Sequence, residues 1–341
     1  MDRFKKMIGE LREEMRQRDI ERMMVSSSPN LSYLTGLKDI SGFLFVTMDK
    51  WEFLVSKFYR YGFENVSRAR VFSGKEEMAD YVNEKLEEGF LCDRDMDMDV
   101  ETSKTDVLEE MRKVKRDFEI DRLRESCRIN EKVFKKVVER FEPGMTEWEV
   151  VREIDSGFRE HGCYNSFDTL AHVNTLKPHR EPKEKEASIG DIVLVDMGCR
   201  YRNYCSDMTR IIPNGIEGSR KDLFKDVLEI QEFALNLLKP GREVSDICER
   251  VLEKVEEKGY SPSKNFLHSL GHGIGVEIHE PPTISTSSNH VIEEGNVFTI
   301  EPGLYVKDVG GVRIEDQVRI KEKGYEVLNR SDKRLDRLSF N

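Results

Sequence analysis

A chain of 341 residues is long enough for two domains and a sizeable core. Its net charge of -11 argues against a nucleic-acid or anionic-membrane surface, which needs an excess of Lys and Arg. No apolar run reaches bilayer-spanning length, and charges interrupt the first residues where a secretory signal would be apolar. Six scattered cysteines without a CxxC pair suit buried thiols in a reducing cytoplasm, with Cys199 and Cys205 read as packing residues.

Phe4, Ile8, Leu11 and Met15 recur at helical spacing and predict an opening amphipathic helix. Strand-like runs follow at 22–26, 42–48 and 51–56, then a helical segment over about 75–88. This mixture predicts a small α/β domain over residues 1–114. The acidic run 93–100 lacks the Gly and terminal Glu of a calcium loop and reads as a solvated turn. Residues 112–140 are highly charged and helical in pattern, which puts the start of a second domain, 115–341, at their head. Pro143-Gly144 then breaks the helix, and Thr146 with Glu149 makes a capping box for another that runs to about Gly162.

The second domain repeats itself. Pro143 and Pro240 are 97 residues apart, and so are Gly162 and Gly259. Gly190-Asp-Ile-Val-Leu-Val-Asp196-Met-Gly198 matches Gly295-Asn-Val-Phe-Thr-Ile-Glu301-Pro-Gly303 at an offset of 105. In each copy a carboxylate stands six residues after one Gly and two before another. Two such helix–strand units pack about a pseudo-twofold axis, with Asp196 and Glu301 as mates.

A hairpin with its midpoint at Tyr201–Arg202 puts Asp196 directly opposite Asp207, at a Cβ separation of roughly 4.5–5.5 Å. Two like charges that close repel unless a cation sits between them. Glu301 and Glu315, fourteen apart around Asp308, face each other in the same way across a second hairpin. Strand alternation then puts Arg313 on the same face as Glu315. Three of the seven histidines, His268, His272 and His279, fall in one Gly-rich stretch, where glycines on both sides of His272 allow close backbone approach. His179 precedes the first repeat strand. His161, His172 and His290 lack such context and read as structural.

Asp196, Asp207, His272, Glu301 and Glu315 stand in the order and local context of the metal-ligand set of the pita-bread metallopeptidases. The carriers are D-x10-D within DMGCRYRNYCSDMTR, then GHGIGVEIHEPP, TIEPGLY and GVRIED. GVRIED, Pro178-His179, the phrase NLSYLTG ending at Gly36 and Arg112-Lys-Val-Lys115 make the chain resemble the Xaa-Pro aminopeptidase and prolidase branch, over nearly its whole length. The resemblance implies an α+β architecture: a creatinase/prolidase-like N-terminal domain over 1–114, then a pita-bread catalytic domain over 115–341.

It also implies two divalent ions (Mn, Co, Zn or Fe), bridged by Asp207 and Glu315, with Asp196 on one and His272 and Glu301 on the other. Glu301 becomes the proton shuttle, His279 and His179 stabilise the oxyanion and position the substrate, and His268 lines the pocket. Arg313 orients Glu315 or a neighbouring acid. The implied substrates are peptides with proline second, and the implied assembly is a cytoplasmic homodimer. Methionine aminopeptidases usually lack such an N-terminal domain and the Arg of GVRIED, so that reading ranks lower. A non-catalytic binding scaffold fits poorly with five filled ligand positions. Several prolidases carry an Arg four residues after the histidine matching His279, where this chain has Thr283. That departure tilts the reading towards an aminopeptidase, with a dipeptidase kept open because Arg180 or a residue of another subunit could supply the charge for a substrate carboxylate.

Overall fold

The computed structural model describes residues 2–38, 40–57, 69–94 and 103–334. The chain divides into two compact units, Met1–Arg112 and Lys113–Asn341.

The first unit runs α1 (Asp2–Gln17), β1 (Arg22–Val25), α2 (Ser28–Thr35), β2 (Gly42–Thr47), β3 (Trp51–Ser56), β4 (Ala69–Phe72), α3 (Lys75–Glu87) and β5 (Leu91–Cys92). Helix α1 buries Met7, Ile8, Leu11 and Met15, while Phe4 of the expected stripe is half-buried. The sheet has the order β4-β3-β2-β1-β5, antiparallel through its three central strands and parallel at both edges. Helix α2, absent from the periodicity, is defined by its ends. Ser27 caps Asn30 N, a Pro sits in the first turn, and Gly36 closes it at φ 75. The acidic run does not begin as a solvated turn. Asp93 is buried and accepts hydrogen bonds from Ser26 N and Asn30 Nδ2, each at 2.9 Å. Residues 95–100 of that run lie outside the described residues.

The helix expected over 112–140 is two helices, α4 (Val107–Lys113) and α5 (Asp117–Arg140). Val114 between them bridges Asn296 in the second half of the chain. The second unit continues with α6 (Glu147–Glu160), β6 (Tyr164–Asn165), β7 (Leu170–Val173), β8 (Val193–Met197), β9 (Cys199–Tyr201), β10 (Tyr204–Cys205) and β11 (Met208–Ile212). Then come α7 (Gly218–Leu237), α8 (Val244–Glu257), α9 (Pro262–Asn265), β12 (Gly271–Gly273), β13 (Glu280–Ile284), β14 (Val297–Ile300), β15 (Gly303–Val306), β16 (Gly310–Arg313), β17 (Asp316–Ile320) and β18 (Tyr325–Val327).

The repeat is visible bond by bond. Helices α6 and α8 each have 14 residues and start 97 positions apart. Gly144 N donates to Ala187 O, and its counterpart Gly241 N donates to Ile292 O, both at 2.8 Å. Ala187 N returns to Met145 O as Ile292 N returns to Arg242 O. In each half one strand triplet carries the repeat, β7-β8-β11 in the first and β12-β14-β17 in the second. Strand β8 is buried on both faces: Val193 and Val195 belong to the apolar core that α5 and α6 contribute to, and Leu194 to the one that α7 and α8 contribute to.

Only one of the two hairpins keeps the expected register. In the second, Gly303 pairs Arg313 and Ile300 pairs Asp316, so Glu301 and Glu315 sit opposite each other around Asp308, itself at φ 65. In the first, Asp196 pairs Thr209, not Asp207. The turn residues are Arg202 and Asn203, at φ 46 and 73, one position later than Tyr201–Arg202. The shift puts Gly198 level with Asp207 and makes the two acids diagonal neighbours. A displacement of two along a strand preserves the face, so both still point to the same side.

Candidate metal centre

Four of the five residues of the resemblance come from strand ends, and His272 comes from within a strand. Asp196 is near the end of β8, Asp207 lies just before β11 and His272 is the middle residue of β12. Glu301 follows β14 directly, and Glu315 precedes β17. Backbone bonds fix three of them: Asp207 N donates to Gln317 Oε1 at 2.9 Å, Glu301 N to Leu270 O at 2.9 Å, and Glu315 N to Thr209 O at 3.2 Å. His272 needs its glycines, because a Cβ on Gly271 would lie 2.0 Å from Thr299 O and one on Gly273 2.4 Å from Glu280 O.

Asp207, His272 and Glu315 each offer a donor atom within 4.8 Å of the other two. His272 Nε2 lies 3.4 Å from Asp207 Oδ2 and 3.4 Å from Glu301 Oε1. Asp196 stands at the edge of this group, with Oδ2 bound by the Arg313 guanidinium. Arg313 also donates to Thr209 Oγ1 (3.0 Å) and Tyr305 OH (2.8 Å), and Thr209 Oγ1 donates on to Glu315 Oε2 at 2.8 Å. The guanidinium therefore grips Asp196 directly and reaches Glu315 through a threonine. Arg313 is 1% exposed and stands behind the acids, not in the cavity.

Three carboxylate oxygens, Asp196 Oδ1, Asp207 Oδ1 and Glu315 Oε1, are buried with no hydrogen-bond partner. Unsatisfied buried lone pairs are costly, and several in one place call for an explanation. Burial pushes the carboxyl groups of Asp207, Glu301 and Glu315 above their usual range, and the neighbouring acids push Asp207 and Glu315 further. Cations between these oxygens would satisfy the lone pairs and relieve the repulsion, and a set of carboxylates with one imidazole suits hard or borderline divalent ions. The donor set fits such ions.

The acids open into a cavity of about 1030 Å³ that His179, His268 and His279 also line. The His279 ring lies edge-on to that of His272, centroids 4.3 Å apart. His268 is held through Nδ1 by Ser269 O (2.8 Å) and through Nε2 by Tyr305 OH (3.3 Å), and burial with the nearby Arg313 charge pushes its pKa down to about 3. It is a neutral ring that donates at Nδ1 and accepts at Nε2. Burial also lowers His179 and His279.

The sequence profile of metallopeptidase family M24 matches residues 121–322, more than half of the chain. The chain belongs to metallopeptidase family M24. The creatinase/prolidase N-terminal domain matches residues 7–128. An Xaa-Pro dipeptidase of Pyrococcus furiosus is 37% identical over 235 residues, 67% of each chain. An uncharacterised peptidase of Staphylococcus aureus is 36% identical over 231 residues, and the matched part spans 65% of that relative's length. The structure of an Xaa-Pro dipeptidase from Bacillus anthracis superposes with a TM-score of 0.88 at 28% identity, covering 97% of this chain and 99% of that one. Membership of M24 implies divalent metal ions. Among the described residues no helix is long and apolar enough to cross a membrane.

The fold exposes a second-half motif with a first-half twin. Leu170, His172 and His179 lie 100 positions before Leu270, His272 and His279. His172 pairs Leu194, and His272 N bonds the side chain of Thr299, 105 positions further on. The sequence signal was L-x-H-x6-H, present twice but hidden because glycines surround only the second copy. Tyr305 and Thr209, which hold His268 and Glu315, carry no sequence signal, since no spacing rule points to a tyrosine or threonine with that task.

Proposed function

We propose that this M24 protein is a dinuclear-metal-dependent exopeptidase that cleaves the bond between an N-terminal residue and proline. The observation that carries the reading is the set of three partnerless buried carboxylate oxygens on Asp196, Asp207 and Glu315, residues that line one cavity together with His272. Asp196, Asp207, His272, Glu301 and Glu315 would hold two ions, drawn from Mn, Co, Zn or Fe. Such ions, when bound, bring the pKa of a water near neutrality and polarise the scissile carbonyl.

The chain's own groups supply the rest. Glu301 can take a proton at its free oxygen and pass it to the proline nitrogen, a poor leaving group as an anion. His179 and His279, neutral rings on the cavity wall, can donate to the developing oxyanion. His268 cannot serve as a proton donor at Nε2, because that atom already accepts from Tyr305, so it shapes the wall. Arg313 holds Asp196 in place and leaves the chemistry to others.

Substrate length divides dipeptidase from aminopeptidase. Thr283 lines the cavity at the position where several prolidases have Arg, while Arg180 lines it with its guanidinium already on Glu147. These two features favour peptides longer than two residues, whereas the Xaa-Pro dipeptidases among the relatives favour dipeptides. The family likeness supports a homodimer, and six buried free cysteines suit the cytoplasm. The deciding assay gives protein loaded with Mn²⁺ or Co²⁺ an Xaa-Pro dipeptide and an Xaa-Pro-Xaa tripeptide. Release of the first residue from either supports an Xaa-Pro peptidase, and their ratio gives the length preference. No release from either, with two ions bound, refutes the reading.

A further inference from the structure

His179 lies on the long connection between β7 and β8, where no strand or helix fixes it. The residues on both sides of it are nonetheless tied down. Pro178 O accepts from Arg313 Nη1 at 3.5 Å, and Arg180 O is bonded by His172 Nε2 at 2.9 Å. His172 is fully buried, and its Nδ1 has no partner. A carbonyl can only accept, so the ring's one proton is on Nε2 and the imidazole works as a fixed donor to this loop.

The Arg180 side chain is held as firmly. Its Nη1 donates to Glu147 Oε2 at 2.7 Å and its Nη2 to Glu147 Oε1. Glu147, 1% exposed, takes two further bonds, from Val173 N at 2.7 Å and Lys183 N at 2.8 Å. Each carboxylate oxygen thus accepts one backbone N–H and one guanidinium N–H, a forked geometry that only Arg supplies. In the other half of the repeat, the residue after His279 is treated alike. Glu280 forms an ion pair with Lys115 at 2.6 Å, both side chains 1% exposed.

We propose that His172 and Glu147 are positioning residues which, through Arg180, hold the loop that presents His179 to the carboxylate centre. The inference rests on the role given to His179 under the proposed function. It assigns the first-half twin of His272 a task other than metal binding. It also makes Arg180 a fixed part of the wall, since both of its terminal nitrogens are engaged.

The test uses the full chain loaded with Mn²⁺ and an Xaa-Pro-Xaa tripeptide, with kcat, KM, bound metal and Tm measured for each variant. His172→Leu and Glu147→Gln are expected to lower kcat at least tenfold with two ions still bound. His172→Gln, whose amide nitrogen can reach Arg180 O, is expected to restore most of the rate. The double variant His172→Leu with His179→Ala is expected to be no slower than His179→Ala alone, because both losses run through one ring. Multiplicative losses, or metal lost from His172→Leu, overturn the proposal. A slow His179→Ala beside a full-rate His172→Leu overturns it while sparing the role of His179. A full-rate His179→Ala removes that role and this inference together. If Glu147→Gln does not fold, Arg180→Lys, which keeps the charge and loses the fork, takes its place with the same expected loss.

Discussion

At the scale of single residues the acids set the terms. Asp207→Asn removes one ionised donor from a cluster that repels itself, so loss of metal and of activity is expected with the fold retained. Metal analysis and Tm of the chelated variant check it, and turnover with two ions bound would contradict it. His279→Ala should keep the metal and lose about 10²–10³ in rate, as for an oxyanion donor, read from kcat alongside metal content. The raised carboxyl groups also fix a pH dependence. In the metal-free protein Asp207, Glu301 and Glu315 bind protons more tightly than in the unfolded chain. Their stabilising contribution is full below the unfolded pKa of about 4 and is lost as pH climbs through the raised folded values. Metal needs the ionised forms, so its effect runs the other way. The Tm gap between loaded and chelated protein should widen from about pH 5 to pH 8, and a narrowing gap would refute it. Much of this was readable beforehand, because acids and histidines near glycines stand out. His172 was not, since its copy of the L-x-H-x6-H pattern lacks the glycines that flank His272.

At the scale of elements, local rules decided what could be read. The capping box at Thr146 and Glu149 is formed: Thr146 Oγ1 accepts from Glu149 N at 3.2 Å and Glu149 accepts from Thr146 N at 2.7 Å. Its repeat, α8, starts at Glu243 with no side-chain cap. Thr146→Ala should cost about 1 kcal/mol, and Glu243→Thr should add up to about the same, both read from denaturant midpoints. Equal stability of the wild type and Glu243→Thr would show that the uncapped start costs nothing. The first hairpin's register escaped the sequence because Arg202-Asn203 carries none of the Asn-Gly or Asp-Gly signature of a two-residue turn. Asp308, at φ 65 in the second hairpin with Gly310 at φ 130 beside it, is a residue that tolerates the left-handed region, and the hairpin centres there as expected. Helix α2 was missed for the opposite reason: its caps are strong and its apolar spacing weak.

At the scale of the whole molecule the duplication was the most legible feature. Pro-Gly and Gly punctuation sits at turns the backbone cannot make otherwise, so its spacing survived where side chains diverged. The break at Val114 was less legible, since charged residues suit helix on both sides of it. Chelation of the loaded protein should lower its Tm and raise its sensitivity to protease, by mass action on a state that only the folded chain can bind. Equal Tm values with and without chelator would contradict this.

The origin of the donors has one more consequence. Asp196 and Asp207 belong to the first half of the repeat, His272, Glu301 and Glu315 to the second, and 119 positions separate Asp196 from Glu315. An ion shared between them closes a very long loop, the kind whose closure restricts the disordered chain most. Under the proposed function the cation would act as a clasp as well as a reagent. It would add to the bonds that already join the halves, such as Arg313 to Asp196 and Glu315 N to Thr209 O. A cell short of it would hold a protein joined by those bonds and by packing alone.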